Sequence, residues 1–223
     1  MSIYTDPILV IGNKNYSSWS LRPWLAIRKA GVHVEIKRLP LDTEEFAREI
    51  GNYSPTGKVP VLVDDTRTVW DSLAICEYIS ENMDEGHLWP PNYAERAWAR
   101  SISAEMHSGF PHLRNAMPMN CRATGRTVPM TDGLEKDIAR IDQIWTECRQ
   151  KHAHIGPWLF GGFTIADAMY APVVLRFNTY GANLSDDSRQ YMQHVLNDRD
   201  IQQWMADAAE ETEVVAADEA GEE

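Results

Sequence analysis

The chain has 223 residues, 43% hydrophobic and 24% charged, the composition of an ordinary soluble globular protein with ample core for one large or two small domains. Its formal net charge of −12 is unevenly spread: Asp207–Glu223 holds eight acidic residues and no Lys or Arg, and the rest of the chain carries only −4. That balance lacks the basic footprint nucleic acid needs, no apolar run approaches the length of a membrane span, and the N-terminus has neither the basic start nor the long apolar core of a secretory leader.

Ile8-Leu9-Val10-Ile11 is a compact apolar run stopped by Gly12-Asn13, which predicts a central strand. A polar loop, Lys14 to Ser20, leads into a helix with Leu21, Trp24, Leu25 and Ile27 apolar. Pro23 is tolerated only near a first turn, so the helix starts at about Trp19 or Ser20, and Gly31 ends it. Val32, Val34 and Ile36 alternate with His33, Glu35 and Lys37, the period of a strand with one wet face. Strand, helix, strand predicts a parallel pair with a crossover. A weak helix over Asp42–Ile50 with Thr43 as its cap, then a loop from Asn52 to Gly57, follow.

Lys58–Val63, a polar turn and Thr68–Trp70 read as two strands in hairpin relation. Asp71 and Ser72 are cap residues for a helix with Ala74, Ile75, Tyr78 and Ile79 on one face. Pro60 falls at a strand start, where sheets tolerate it. A cis Val59–Pro60 bond there would turn the Val59 N–H and C=O outward, free to pair with an extended peptide. An ordinary hairpin followed by a well-capped helix accounts for the same residues without a ligand.

From Asp84 to Tyr93, Gly86, Pro90 and Pro91 mark a linker. Everything beyond has helical period: Ala94 through Met106, then the stripe Leu134, Ile138, Ile141, Trp145 and Cys148. Trp158–Phe163 is a turn into the interior, and Thr164 with Asp167 has capping-box spacing for a helix through Phe177. Two shorter helices run through Tyr191–Leu196 and Ile201–Met205. The expected organisation is 1–83, a linker 84–93, a helical part 94–206, and an acidic, solvated and disordered tail 207–223. Cys76, Cys121 and Cys148 show no metal spacing and no pairing, which fits a reducing, cytoplasmic setting, and no metal site is expected.

The Val-Pro strand start, the hairpin and the acidic-Ser helix start at Val59, Pro60, Asp71 and Ser72 resemble the glutathione-binding half of glutathione transferases. The likeness extends over nearly the whole chain and is to cytosolic, bacterial-type members with a zeta-like serine motif. It implies an α/β thioredoxin-like N-terminal domain followed by an all-α C-terminal domain, with glutathione as co-substrate and a homodimer as assembly. It further implies that Val59 pairs with the cysteinyl backbone of glutathione while Asp71 and Ser72 hold its γ-glutamyl end. Lys58 either meets the glycyl carboxylate or is a solvated loop lysine.

Ser17-Ser18-Trp19-Ser20-Leu21-Arg22 is similar to the zeta-class run in which the first serine serves the thiol. That assigns the catalytic hydroxyl to Ser17, with Ser18 second and Tyr16 a rival donor; simple N-capping is the alternative use of both serines. A free thiol has a pKa of about 8.5, and lowering it by two units takes roughly 2.7 kcal/mol, within reach of one charge-assisted hydrogen bond plus a helix dipole. Trp19 stands where zeta, beta and glutaredoxin-like relatives have Cys, which disfavours thiol–disulfide chemistry and counts against zeta-type isomerisation of a maleyl compound. Trp19, Met106, Phe110 and Arg176 are the candidates for holding the electrophile. Met106 and Phe110 serve equally as core, and Arg176 either binds an acidic electrophile or makes a structural ion pair. The expected activity is conjugation of glutathione to a hydrophobic electrophile; the alternatives are a glutathione-dependent isomerase or dehalogenase and a non-catalytic binding module.

Overall fold

The computed structural model describes residues 6–222; residues 1–5 of the N-terminus and Glu223 of the tail lie outside the described residues. Four short strands form one mixed sheet in the order β2-β1-β3-β4. Strand β1 (Ile8–Ile11) runs parallel to β2 (Glu35–Arg38) and antiparallel to β3 (Val61–Asp64), which pairs antiparallel with β4 (Arg67–Trp70). Leu9, Val10 and Ile11 are fully buried, as a continuous apolar run in a central strand should be. Helix α1 (Ser18–Ala30) connects β1 to β2, and Gly31 closes it in the left-handed conformation (φ 68°) that costs glycine nothing.

Strand β2 begins three residues later than the apolar alternation suggests. Val34 is buried just before it, whereas Ile36 within it is 37% exposed. Its pairing with β1 rather than its own side-chain pattern sets the register, a case of tertiary context overriding a weak local signal. Helix α2 (Glu44–Glu49) is capped by Thr43, which accepts the Phe46 N–H. The β3–β4 hairpin leads through Asp71 into α3 (Ser72–Met83).

Everything C-terminal to α3 is helical: α4 (Tyr93–Ser108), α5 (Pro111–Ala116), α6 (Asp132–His152), α7 (Ile165–Tyr180), α8 (Asp186–Leu196) and α9 (Arg199–Ala209). The chain is therefore a thioredoxin-like α/β domain followed by an all-α domain. Helix α7 is apolar on all sides and almost wholly buried, the position its sequence demands. Asp167, in its first turn, accepts the N–H and O–H of Thr164, the Leu159 N–H and the Tyr191 hydroxyl, which anchors the preceding turn and α8 to the helix start. Burial nevertheless holds its carboxyl up to about 6. Among the described residues no helix is long and apolar enough to cross a membrane.

The acidic tail is not a solvated end. After α9 the chain runs back over the loop that follows β1, forms a 3-10 turn at Ala216–Asp218, buries Val215 and pairs Thr127 with Glu222. Its acids have partners that composition could not reveal. Glu211 accepts the backbone N–H groups of Lys14 (2.8 Å) and Asn15 (3.0 Å), and Glu219 takes the Tyr16 hydroxyl and Arg126. Arg122 donates to carbonyls of Glu211 and Glu213.

Candidate active site

The loop after β1, the residues before β3 and the start of α3 come together at one end of the sheet. Two cavities of about 370 and 420 Å³ open there, and Trp19, Lys58 and Val59 line both. The first is completed by Thr56, Pro60, Trp70, Asp71, Ser72 and His107. The second has an apolar side of Leu41, Phe46 and Pro118, a hydroxyl side of Tyr16, Ser17 and Ser18, and a charged end of Arg114, Arg176 and Asp218.

In the first cavity the Val59–Pro60 bond is cis. The Val59 N–H and C=O take no part in the loop, turn and cap hydrogen bonds of the described residues. Asp71 has a positive φ of 75°, unusual outside glycine. One carboxylate oxygen accepts the Leu73 and Ala74 N–H groups, capping α3, and the other lies 3.1 Å from His107 Nε2 across the domain junction. Ser72 is buried, with its Oγ accepting a long 3.5 Å bond from Arg22.

In the second cavity Ser17 is the residue before α1, yet its side chain caps no N–H; its hydroxyl donates 2.7 Å to Ser20 Oγ. Simple N-capping is therefore not what Ser17 does here. Ser18 Oγ accepts from the Arg176 guanidinium at 3.2 Å. The Trp19 N–H at the open end of α1 has no partner among the described residues, so a helix N-terminus with an unsatisfied donor faces this corner. The Tyr16 hydroxyl is committed elsewhere: it donates 2.6 Å to Glu219 and accepts from Arg122, and burial together with the Glu219 bond pushes its pKa up. A phenol held that way is a poor rival to the serines as a thiol partner.

Two guanidiniums lie against Trp19, Arg22 4.3 Å and Arg114 4.8 Å from its ring, and a third, Arg176, bonds the neighbouring Ser18. Burial lowers Arg22 to about 9 and Arg176 to about 10, and repulsion from the neighbouring arginines adds to both. Arg176 bonds to the carbonyls of Met117 and Arg114 and to Ser18, none of them a carboxylate, while the Asp218 carboxylate in the same cavity attracts it without a direct ion pair.

Met106 and Phe110 line neither cavity. Met106 shares the inward face of α4 with Ala99, Ile102 and Ser103, and Phe110 turns into the core at the left-handed break (φ 61°) between α4 and α5. His107, Arg114, Trp70 and Asp218 join the site without having been singled out in the sequence. Only Arg22, inside the serine run, carried a local signal. Among the described residues no group of His, Cys, Asp or Glu is placed to hold a metal ion.

A cis-Pro edge, a helix N-terminus beside hydroxyls and a helical domain flanking the cleft define a thioredoxin-fold protein with a two-part cleft at one end of its sheet. The family model for the glutathione S-transferase N-terminal domain matches residues 16–82. A probable maleylacetoacetate isomerase of Caenorhabditis elegans is 35% identical over 180 residues, 80% of this chain and 82% of its own length. A maleylacetoacetate isomerase of Rattus norvegicus is 33% identical over 80% of this chain and 82% of its own length. A crystal structure of a Burkholderia glutathione transferase homologue with bound glutathione superimposes with a TM-score of 0.70, covering 92% of this chain and 98% of that one at 21% identity. The chain belongs to the glutathione S-transferase family, and it is a glutathione-using enzyme.

Proposed function

We propose that this enzyme adds glutathione, as its thiolate, to an electrophile with an apolar body and a carboxylate. Glutathione lies in the first cavity, with Val59 pairing its cysteinyl backbone, Asp71 and Ser72 at its γ-glutamyl end and Lys58 near its glycyl carboxylate. Its sulfur reaches the junction of the two cavities, where the Ser17 hydroxyl and the open end of α1 favour the anion. The electrophile lies against Trp19, with its carboxylate toward Arg114 and Arg176. The observation that carries this reading is the pair of guanidiniums beside the serines, Arg176 buried and Arg114 half-buried, with no carboxylate among their hydrogen-bond partners. Asp218 and Asp137 offset their mutual repulsion only in part, since Arg176 still lies below its ordinary value, and a bound anion relieves it further.

Glutathione-dependent isomerisation is the second reading, supported by the names of the Caenorhabditis and Rattus relatives. It uses the same addition, followed by rotation about the bond and loss of the thiol. We further propose a homodimer acting in the cytoplasm to detoxify electrophiles; three free cysteines, two of them buried, are in keeping with a reducing compartment.

The test is turnover of a chromogenic electrophile and of a maleyl-type acid by the wild type and by Ser17→Ala. Loss of one charge-assisted hydrogen bond to the thiolate should slow both about 10- to 100-fold. Equal rates in wild type and variant would remove Ser17 from the mechanism. A product that retains glutathione indicates conjugation, and an unconjugated geometric isomer indicates isomerisation.

A further inference from the structure

We propose that Ser20 is a positioning residue for the thiolate donor: its buried hydroxyl, held by the Gly12 amide, passes a hydrogen bond to Ser17 and thereby turns the Ser17 O–H toward the glutathione sulfur. This rests on the role given to Ser17 above. The geometry is a short chain of donors. Gly12 N–H donates to Ser20 Oγ at 3.1 Å, and Ser17 Oγ and Ser20 Oγ are 2.7 Å apart. Ser20 is completely buried and reaches neither cavity, whereas Ser17 lines the second. The two serines are three apart at the start of α1, which places them on one side of the helix.

With Ser17 donating to Ser20, the pair holds one hydroxyl hydrogen more than it has acceptors. Ser20 Oγ then receives both Gly12 and Ser17, and its own hydrogen finds no acceptor among the described residues. A hydroxyl hydrogen rotates to suit its partners. When a thiolate arrives, the Ser17 hydrogen turns to the sulfur, the Ser20 hydrogen turns to the Ser17 oxygen, and Gly12 still holds Ser20. All donors are then satisfied with no movement of heavy atoms. The chain N–H to O–H to O–H to sulfur is polarised in one direction, which strengthens its last bond. Glutathione as a neutral thiol lacks the charge that draws this reversal, so the arrangement favours the anion over the thiol.

The experiment titrates the thiolate absorbance of glutathione bound to wild type, Ser17→Ala, Ser20→Ala and Ser20→Thr. Ser20→Ala should raise the bound thiol's pKa by about one unit and lower kcat about tenfold below that pKa, with KM for glutathione nearly unchanged. The rate deficit should close as the pH rises, and Ser20→Thr, which keeps the hydroxyl, should restore the wild-type titration. A packing role alone would shift thermal stability and leave the thiol pKa where it was. If Ser17→Ala raises the pKa and Ser20→Ala does not, this inference is overturned while the role of Ser17 stands. If Ser17→Ala itself leaves the pKa unmoved, both fall together.

Discussion

Arg176 is a residue with two duties. Its guanidinium ties the carbonyls of Met117 and Arg114 to Ser18 Oγ, and it also forms the charged end of the second cavity. Lysine keeps the charge but loses the planar fork. Arg176→Lys should raise KM for a carboxylate-bearing electrophile about 10- to 100-fold, the range of a lost charge-assisted bond, and change KM for a neutral one little. Steady-state kinetics on a matched acid and methyl ester decide it; equal losses on both would make Arg176 structural only. Asp71 shows how far a single residue can be read. Its cap to α3 follows from residue type, because a short carboxylate reaches the N–H groups two and three residues on. Its φ of 75° does not, because the backbone there is imposed by the junction of β4 and α3. With ψ at 132° it lies outside the left-handed helical region that Asp tolerates, so the surrounding structure holds it there.

At the scale of elements, the segment after α9 supports the loop that carries the serines. The Glu211 carboxylate, almost fully buried, accepts two successive backbone N–H groups directly before Tyr16. Glu211→Ala leaves both donors without their partner and should cost about 2–3 kcal/mol. Amide exchange at Lys14 and Asn15 should accelerate, and the urea midpoint should fall. Protection unchanged at those two amides would mean that the loop holds itself. Nothing in the composition of the segment signalled this, since a run of acids reads as a solvated end unless its basic and amide partners are known. Those partners, Lys14, Arg38, Arg122 and Arg126, are distant in sequence and meet it only in the folded chain.

For the whole molecule, the same segment and α9 make the C-terminal end sensitive to acid. Burial works to raise the Asp200, Asp207 and Glu219 carboxyls, yet hydrogen bonds from Lys29 and Arg28, from Lys14, and from Tyr16 and Asn120 outweigh it, and all three lie below the usual carboxylate range. Glu213 is lowered chiefly by its bond from Arg38. Asp218, raised by burial, works in the opposite direction. A depressed carboxyl contributes stability that is present above its unfolded pKa of about 4 and is lost as the pH falls through the folded value. Below about pH 4 the segment should therefore detach before the core of α6 and α7 unfolds. Limited proteolysis with an acid-active protease should cut first after α9, and first cuts within α6 would contradict the ordering.

The sequence by itself determined most of the elements and the thioredoxin-like order, because strand and helix periods, caps and turn residues are local properties of neighbouring side chains; the bounds of β2, helix α5 and the turn in the tail were not among them. It also marked Val59, Pro60, Asp71, Ser72 and the two serines Ser17 and Ser18, which lie in three short contiguous runs. Only the tertiary structure decided what distant segments bring to the same corner: Arg114 and His107 from the helical domain, Asp218 from the tail, and the withdrawal of Met106 and Phe110 into the core. An amphipathic helix states that it has an inward face, but whether that face meets a cavity or a packed neighbour depends on what lies across from it, and no local pattern records that.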